Sequence, residues 1–304
     1  MIPSVRALLQ RRAILVTGKG GVGKTTLAAA IAHLGARSGK RVLAAEISYE
    51  PEATSPLARA LGVAKLGEEP TSVAPRLQAV LLTPTSGHVR FLRATLPVRR
   101  LADAALRAAA IRRFLLAAPT LAEMGILYRI LDLVNAKRAD GSPEHELVVV
   151  DLPATGHALG LAQIPAAILE VIRGGPIATA TREGMALLKD PSRTSSVVVT
   201  LPETLPVSEA MELVQSIQRH AIPFSGVVLN RMPEDPFALA EREAVDAWVR
   251  GKSLLGARSL PRIDRARSAE ARLRELKVPV LAVGELAASE RVAPSLADML
   301  GTFS

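Results

Sequence analysis

The chain has 304 residues, 49% hydrophobic but only 3% aromatic, so a sizeable core has to be built from Leu, Val, Ile and Ala. It contains no cysteine, which excludes disulfides, thiolate-bound zinc or metalloid and thiol redox chemistry, and suits a reducing cytoplasm. The formal charge of +9 is concentrated in residues 86–134 and 256–277; such clusters attract nucleic acid, acidic lipid or an acidic protein, or simply solvate arginine-rich helices.

In chain order, the first segment (MIPSVRALLQRRAILVTGKG) runs from apolar residues straight into a glycine loop and lacks the layout of a signal peptide. No window reaches about 18 uninterrupted apolar residues, the length a membrane helix needs. A cytoplasmic location is expected, with peripheral membrane association left open. Ala13–Thr17 reads as a strand, Thr25–Ser38 as a helix with Gly39 at its C-terminal cap, and Val42–Ala45 as the next strand. Residues 63–76 read as a surface loop. Further buried parallel strands are expected at Gln78–Leu82, Leu147–Asp151, Val197–Leu201, Gly226–Asn230 and Val280–Val283. Helical patterns fall between them, at Ser208–His220 and from Asp235-Pro236 to near Gly251. The alternation predicts an α/β fold: a doubly wound, mostly parallel sheet with helices on both faces. Residues 86–138 contain helix-forming sequence and no strand, a helical insertion subdomain within a single domain spanning 1–304.

Gly18-Lys19-Gly20-Gly21-Val22-Gly23-Lys24-Thr25 satisfies the phosphate-loop pattern G-x-x-x-x-G-K-[ST], with a strand before it and a helix after it. Glycines let the backbone wrap an anion and point successive N–H groups at it, and the following helix adds its N-terminal dipole, with Thr26 in its first turn. In this pattern Lys24 reaches the β- and γ-phosphates of ATP and Thr25 places its hydroxyl on Mg²⁺. Asp151, closing a VVV strand, is a carboxylate suited to a Mg²⁺ water.

The second lysine, Lys19, gives the loop the form K-G-G-V-G-K-T, which resembles the deviant phosphate loop of the ArsA, MinD and ParA group of dimerising ATPases. Asp151-Leu152-Pro153-Ala154-Thr155-Gly156-His157 looks like the D-T-A-P-T-G-H switch of the ArsA-type and tail-anchored-protein-targeting branch, with Leu for Thr and the Ala-Pro order swapped. Gly226–Asn230 is similar to the family strand that ends in an adenine-contacting asparagine, here Asn230. The resemblance runs from Ala13 to about Met232. It implies two subunits, identical or similar, closing on ATP, with Lys19 crossing to the partner's phosphates and Pro153, Thr155 and Gly156 moving when the γ-phosphate leaves. It also implies a protein client or membrane-associated partner.

The chain departs from the family where an aspartate after the second strand positions the attacking water. Leu43-Ala44-Ala45-Glu46-Ile47-Ser48-Tyr49-Glu50-Pro51 aligns Ser48 with that aspartate. Glu46, in the first acidic position of a D-x-D arrangement, and Glu50, before a proline, both stay open as the acid. Exposed loop carboxylates are the plainer reading of each. The cysteines that the family's arsenite pump uses for metalloid, and its targeting ATPases for an intersubunit zinc, cannot exist here. Leu115, Leu116, Met124, Ile126 and Leu127 could line a client groove, although an apolar stripe usually means core. Three functions follow in order: an ATPase switch coupled to a protein or membrane partner, a weakly hydrolysing subunit paired with a similar ATPase, and a DNA-binding ATPase, with nucleic acid ranked third and still open.

Overall fold

In the computed structural model, residues 5–50, 54–95, 119–154, 169–170, 173–250, 252, 259–286 and 292–302 are described. The apolar runs form one sheet of eight strands: β1 (Ala13–Gly18), β2 (Val42–Ile47), β3 (Thr71–Ala74), β4 (Leu77–Leu82), β5 (Leu147–Asp151), β6 (Thr194–Thr200), β7 (Phe224–Met232) and β8 (Val280–Gly284). Their order is β3-β4-β2-β5-β1-β6-β7-β8. Every pairing is parallel except that of edge strand β3 with β4.

Full burial of β1, β2 and β5 explains why these strands read as unbroken apolar runs rather than as alternation. Alternate residues serve opposite faces. Ile14, Val16 and Val149 join a cluster with Leu27 and Ile31 of α2 (Lys24–Arg37) and Leu296 and Leu300 of α10 (Val292–Gly301). Leu15, Val148 and Val150 join another cluster with Ile126, Leu127 and Ile130 of α5 (Pro119–Asn135) and Leu187 of α6 (Gly175–Lys189). A third cluster sets α7 (Thr204–Arg219) and α9 (Ser259–Arg274) against β6, β7 and β8. The predicted doubly wound sheet with helices on both faces is the observed one.

Three details differ from the sequence reading. The supposed loop 63–76 contains β3, joined to β4 by a Pro75-Arg76 turn. The helix expected from Asp235 begins at Leu239 as α8 (Leu239–Val249), because the Asp235 carboxylate accepts from the Phe237 N–H and pairs with the buried Arg242 guanidinium instead of capping. Of the proposed client-groove residues, Met124, Ile126 and Leu127 are buried core, as an apolar stripe usually is; Leu115 and Leu116 lie outside the described residues, as do 96–118 of the expected insertion. Short helices α1 (Val5–Leu9) and α3 (Pro56–Ala60) complete the described N-terminal part. Among the described residues no helix is long and apolar enough to cross a membrane.

α4 (Pro84–Thr95) lies across α5 at a glycine contact. A Cβ at Gly87 would run into the Gly125 carbonyl, and one at Gly125 would lie 2.7 Å from the Pro84 carbonyl oxygen and 2.9 Å from the His88 ring. Gly125→Ala is therefore expected to cost about 1–3 kcal/mol through overpacking. A urea midpoint indistinguishable from the parent's would mean that the two helices separate freely and that the close crossing contributes nothing.

Candidate functional site

The site begins where β1 ends, between the carboxyl ends of β5 and β6, the crevice in which open α/β sheets bind ligands. Residues 18–23 leave the sheet and α2 starts at Lys24. Two glycines are required by contact as well as by conformation. Gly18 has φ 148°, and a Cβ there would strike the Val199 carbonyl of β6. Gly23 has φ 97°, and a Cβ there would strike the Asn230 amide. Val22 is buried and pins the loop, while Lys19, Gly20 and Gly21 form its exposed crest.

Beneath the crest lies a small set of buried charges. The Lys24 ammonium donates to the Lys19 carbonyl at 2.8 Å. Burial lowers its pKa, and Asp151 partly counters the fall. The Thr25 hydroxyl donates to Asp151 Oδ2 at 2.6 Å, while Asp151 Oδ1 is buried with no partner. Burial pushes the Asp151 carboxyl up to about 6, against the Thr25 hydrogen bond and Lys24, with Glu46 adding to the rise. Thr26 follows, half-buried, in the first turn of α2.

This donor set fits a magnesium ion shared with a nucleotide. An orphaned buried carboxylate oxygen sits next to a hydroxyl at the helix start, and Mg²⁺ in nucleotide sites takes one or two protein ligands plus phosphates and waters. Among the described residues no group of three or more His, Asp or Glu could hold a metal unaided.

Glu46 pairs in register with Asp151 on the adjacent strand. Its Oε2 accepts from the Ser55 hydroxyl and from the Leu57 N–H at 2.9 Å. Glu46 thus secures the start of α3, and burial raises its pKa against those two hydrogen bonds. Ser48 and Glu50 form a tight turn in which the Ser48 hydroxyl donates to the Glu50 carbonyl at 2.9 Å, leaving the Glu50 side chain exposed. The structure therefore brings Glu46 to Asp151 but not Glu50. Pro153 is half-buried just beyond β5, and Thr155, Gly156 and His157 lie outside the described residues.

Lys19 is half-exposed, and its ammonium reaches Glu209 of α7 at 2.7 Å. Asn230 lies beside the loop at the end of β7, as its place in the sequence suggests. Its Nδ2 donates to the Val22 carbonyl at 2.9 Å and its Oδ1 accepts from the Arg231 N–H at 3.0 Å, so here the amide ties the loop to the sheet. Next to it, beyond β6, β7 and β8, opens a cavity of about 510 Å³ whose walls include Pro206, Arg231, Pro233 and Arg265. Sequence reasoning missed Glu209 and Ser55. No spacing rule links Glu209 to a lysine 190 positions away, whereas Ser55-Pro56 carries a helix-start signal that was available.

In the second basic stretch, Arg262, Arg267 and Arg274 each pair with a carboxylate of this chain: Glu285, Asp235 and Glu270. That charge is partly neutralised within the fold.

The family described as anion-transporting ATPase matches residues 11–174, which include the loop, Glu46 and Asp151. The ATPase BagA of Mycobacterium tuberculosis is 29% identical over 261 residues, covering 82% of this chain and 75% of its own. An arsenical pump-driving ATPase of Escherichia coli is 30% identical over 239 residues, covering 75% of this chain and 37% of its own length.

Proposed function

The chain belongs to the anion-transporting ATPase family and is an ATP hydrolase, and on that premise we propose that it is a magnesium-dependent switch in which two subunits close on ATP and act on a protein or membrane-associated partner. The observation that carries the proposal is the buried group under the loop, with Thr25 bonded to one Asp151 oxygen and the other oxygen left without a partner. Thr25 and Asp151 would hold the magnesium. When bound, the ion neutralises charge on the β- and γ-phosphate oxygens. The loop N–H groups and Lys24 take the phosphates. Lys19, on the exposed crest, is the group available to a second subunit. Asn230 and the cavity beside it receive the base. Pro153, Thr155 and Gly156, following Asp151, carry the loss of the γ-phosphate outward. Absence of cysteine rules out thiolate capture of an arsenical by this chain.

The test is phosphate release from Mg²⁺-ATP at several protein concentrations, with Lys24→Ala as the blank. Turnover that rises faster than linearly with concentration supports the dimerising switch. Strictly linear turnover sinks the dimer, and a rate equal to the blank sinks self-sufficient hydrolysis.

A second reading, slow turnover in a subunit that pairs with a similar ATPase, is favoured by the geometry after β2. Ser48 carries no charge and is tied to Glu50, while Glu46 is occupied by α3. Ser48→Asp is expected to raise turnover by tenfold or more, toward the roughly 10²–10⁴ that a positioned general base supplies. An unchanged single-turnover rate would show that this position does not limit the reaction.

A further inference from the structure

At the amino ends of β2, β4 and β5, the strands open onto a second cavity of about 380 Å³. The strands run about 3.3 Å per residue, so this cavity lies a full strand length from the phosphate loop, at the opposite ends of the strands. Three arginines from separate segments converge on it: Arg41 before β2, Arg76 in the β3–β4 turn and Arg138 after α5.

Arg41 has a structural role. Its guanidinium donates to the Glu144 and Pro143 carbonyls and lies 3.5 Å from Glu146. Arg76 and Arg138 are both exposed, and among the described residues neither is held in an ion pair; the Arg76 guanidinium donates to the Gly39 carbonyl at 2.9 Å. Arg76 has φ 59°, a left-handed turn position that glycine fills without strain. The backbone of the turn therefore does not call for arginine there. His145, only 3% exposed, forms part of the wall with Gln78, Ser72 and Glu144.

We propose that this cavity binds a small phosphate monoester of the sugar-phosphate class. Guanidinium forks pair with phosphate oxygens through two parallel N–H bonds. Ser72, Gln78 and the Glu144 carboxylate supply partners for hydroxyls on the ligand body, and the volume suits a molecule of that size. Burial pushes the His145 imidazole below its ordinary range; Glu144 opposes the fall, and Arg12, Arg41 and Arg129 add to it. A phosphate close by acts in the opposite sense and raises it.

The probe is ribose 5-phosphate, titrated calorimetrically into the full chain already saturated with Mg²⁺-ADP so that the phosphate loop is blocked. One further site is expected, weakened at least tenfold in the Arg76→Gly/Arg138→Gln double variant, with ADP affinity unchanged and no heat from ribose. Arg76→Gly suits the turn and removes the charge together with the Arg76 hydrogen bond to the Gly39 carbonyl, so an unchanged denaturant midpoint is required of the double variant. The His145 resonance should titrate at higher pH with the ligand bound. No binding in the presence of Mg²⁺-ADP, equal binding by the double variant or by ribose, or an unmoved His145 titration would overturn the proposal. None of these readouts depends on ATP turnover or on dimerisation, so the site and the proposed switch stand or fall separately.

Discussion

Lys19→Ala is expected to lower phosphate release by about 10³-fold or more while leaving nucleotide affinity and thermal stability close to the parent's. A cation supplied by one subunit to the phosphoryl oxygens of another is worth roughly 10³–10⁵ in rate, because it meets charge that develops only in the transition state. Stability should barely move, since Lys19 is half-exposed and its ion pair to Glu209 is of a kind that contributes about 0–1 kcal/mol. The same weakness makes release from Glu209 cheap when a second subunit arrives. Mixing inactive variants decides between action in cis and in trans. Lys19→Ala retains a working loop and lacks the crossing lysine, whereas Lys24→Ala retains Lys19 and lacks the loop lysine. Recovery of turnover in the mixture shows that Lys19 acts across the interface. A dead mixture of two variants that still associate assigns it to its own site, and full activity of Lys19→Ala alone removes it from the chemistry.

What could be read from the chain in advance was what is local. The phosphate loop is contiguous, its strand and helix adjoin it, and Thr25 with Asp151 needed only one inference, that β5 lies beside β1. The central strands were readable because burial on both faces leaves unbroken apolar runs. β3 was not, since its four residues are exposed or half-buried and its pairing depends on the strand that follows. The apolar stripe on α5 could be recognised, but a stripe does not say what covers it; the sheet does. Glu46 is the sharper lesson. Its type and position after β2 suggested chemistry, while its hydrogen bonds reach Ser55 and Leu57, 9 and 11 positions on. Only a folded backbone brings those donors to it. Lys19 and Glu209 are further still from any pattern that spacing can reveal.

The buried Asp151 charge should be a measurable burden on the nucleotide-free fold, and Asp151→Asn is the variant that exposes it. Asp151 is 6% exposed, and burial pushes its carboxyl up to about 6, against an ordinary aspartate value of about 3.9. The native state therefore holds its proton more tightly than the unfolded chain does. The Asp151 contribution to stability therefore falls as pH rises from about 4 to 6, by up to about 3 kcal/mol at 1.36 kcal/mol per pH unit, and then levels off. Asparagine keeps the shape and an acceptor for Thr25 without the charge, so that pH slope should flatten. Near pH 7 the nucleotide-free variant should be more stable than the parent, by less than the full 3 kcal/mol because Lys24 loses its counter-charge. Magnesium and nucleotide should reverse the order, since the parent gains ligand stabilisation that the variant cannot match. Phosphate release by the variant should fall by about 10²-fold or more. Denaturant midpoints from pH 4 to 7.5, with and without Mg²⁺-ADP, read both effects. A variant less stable than the parent at pH 7 without ligand would show that Asp151 is already satisfied by the protein itself. The predicted pattern would show a site that gives up stability so that a charge stands ready for its ligand.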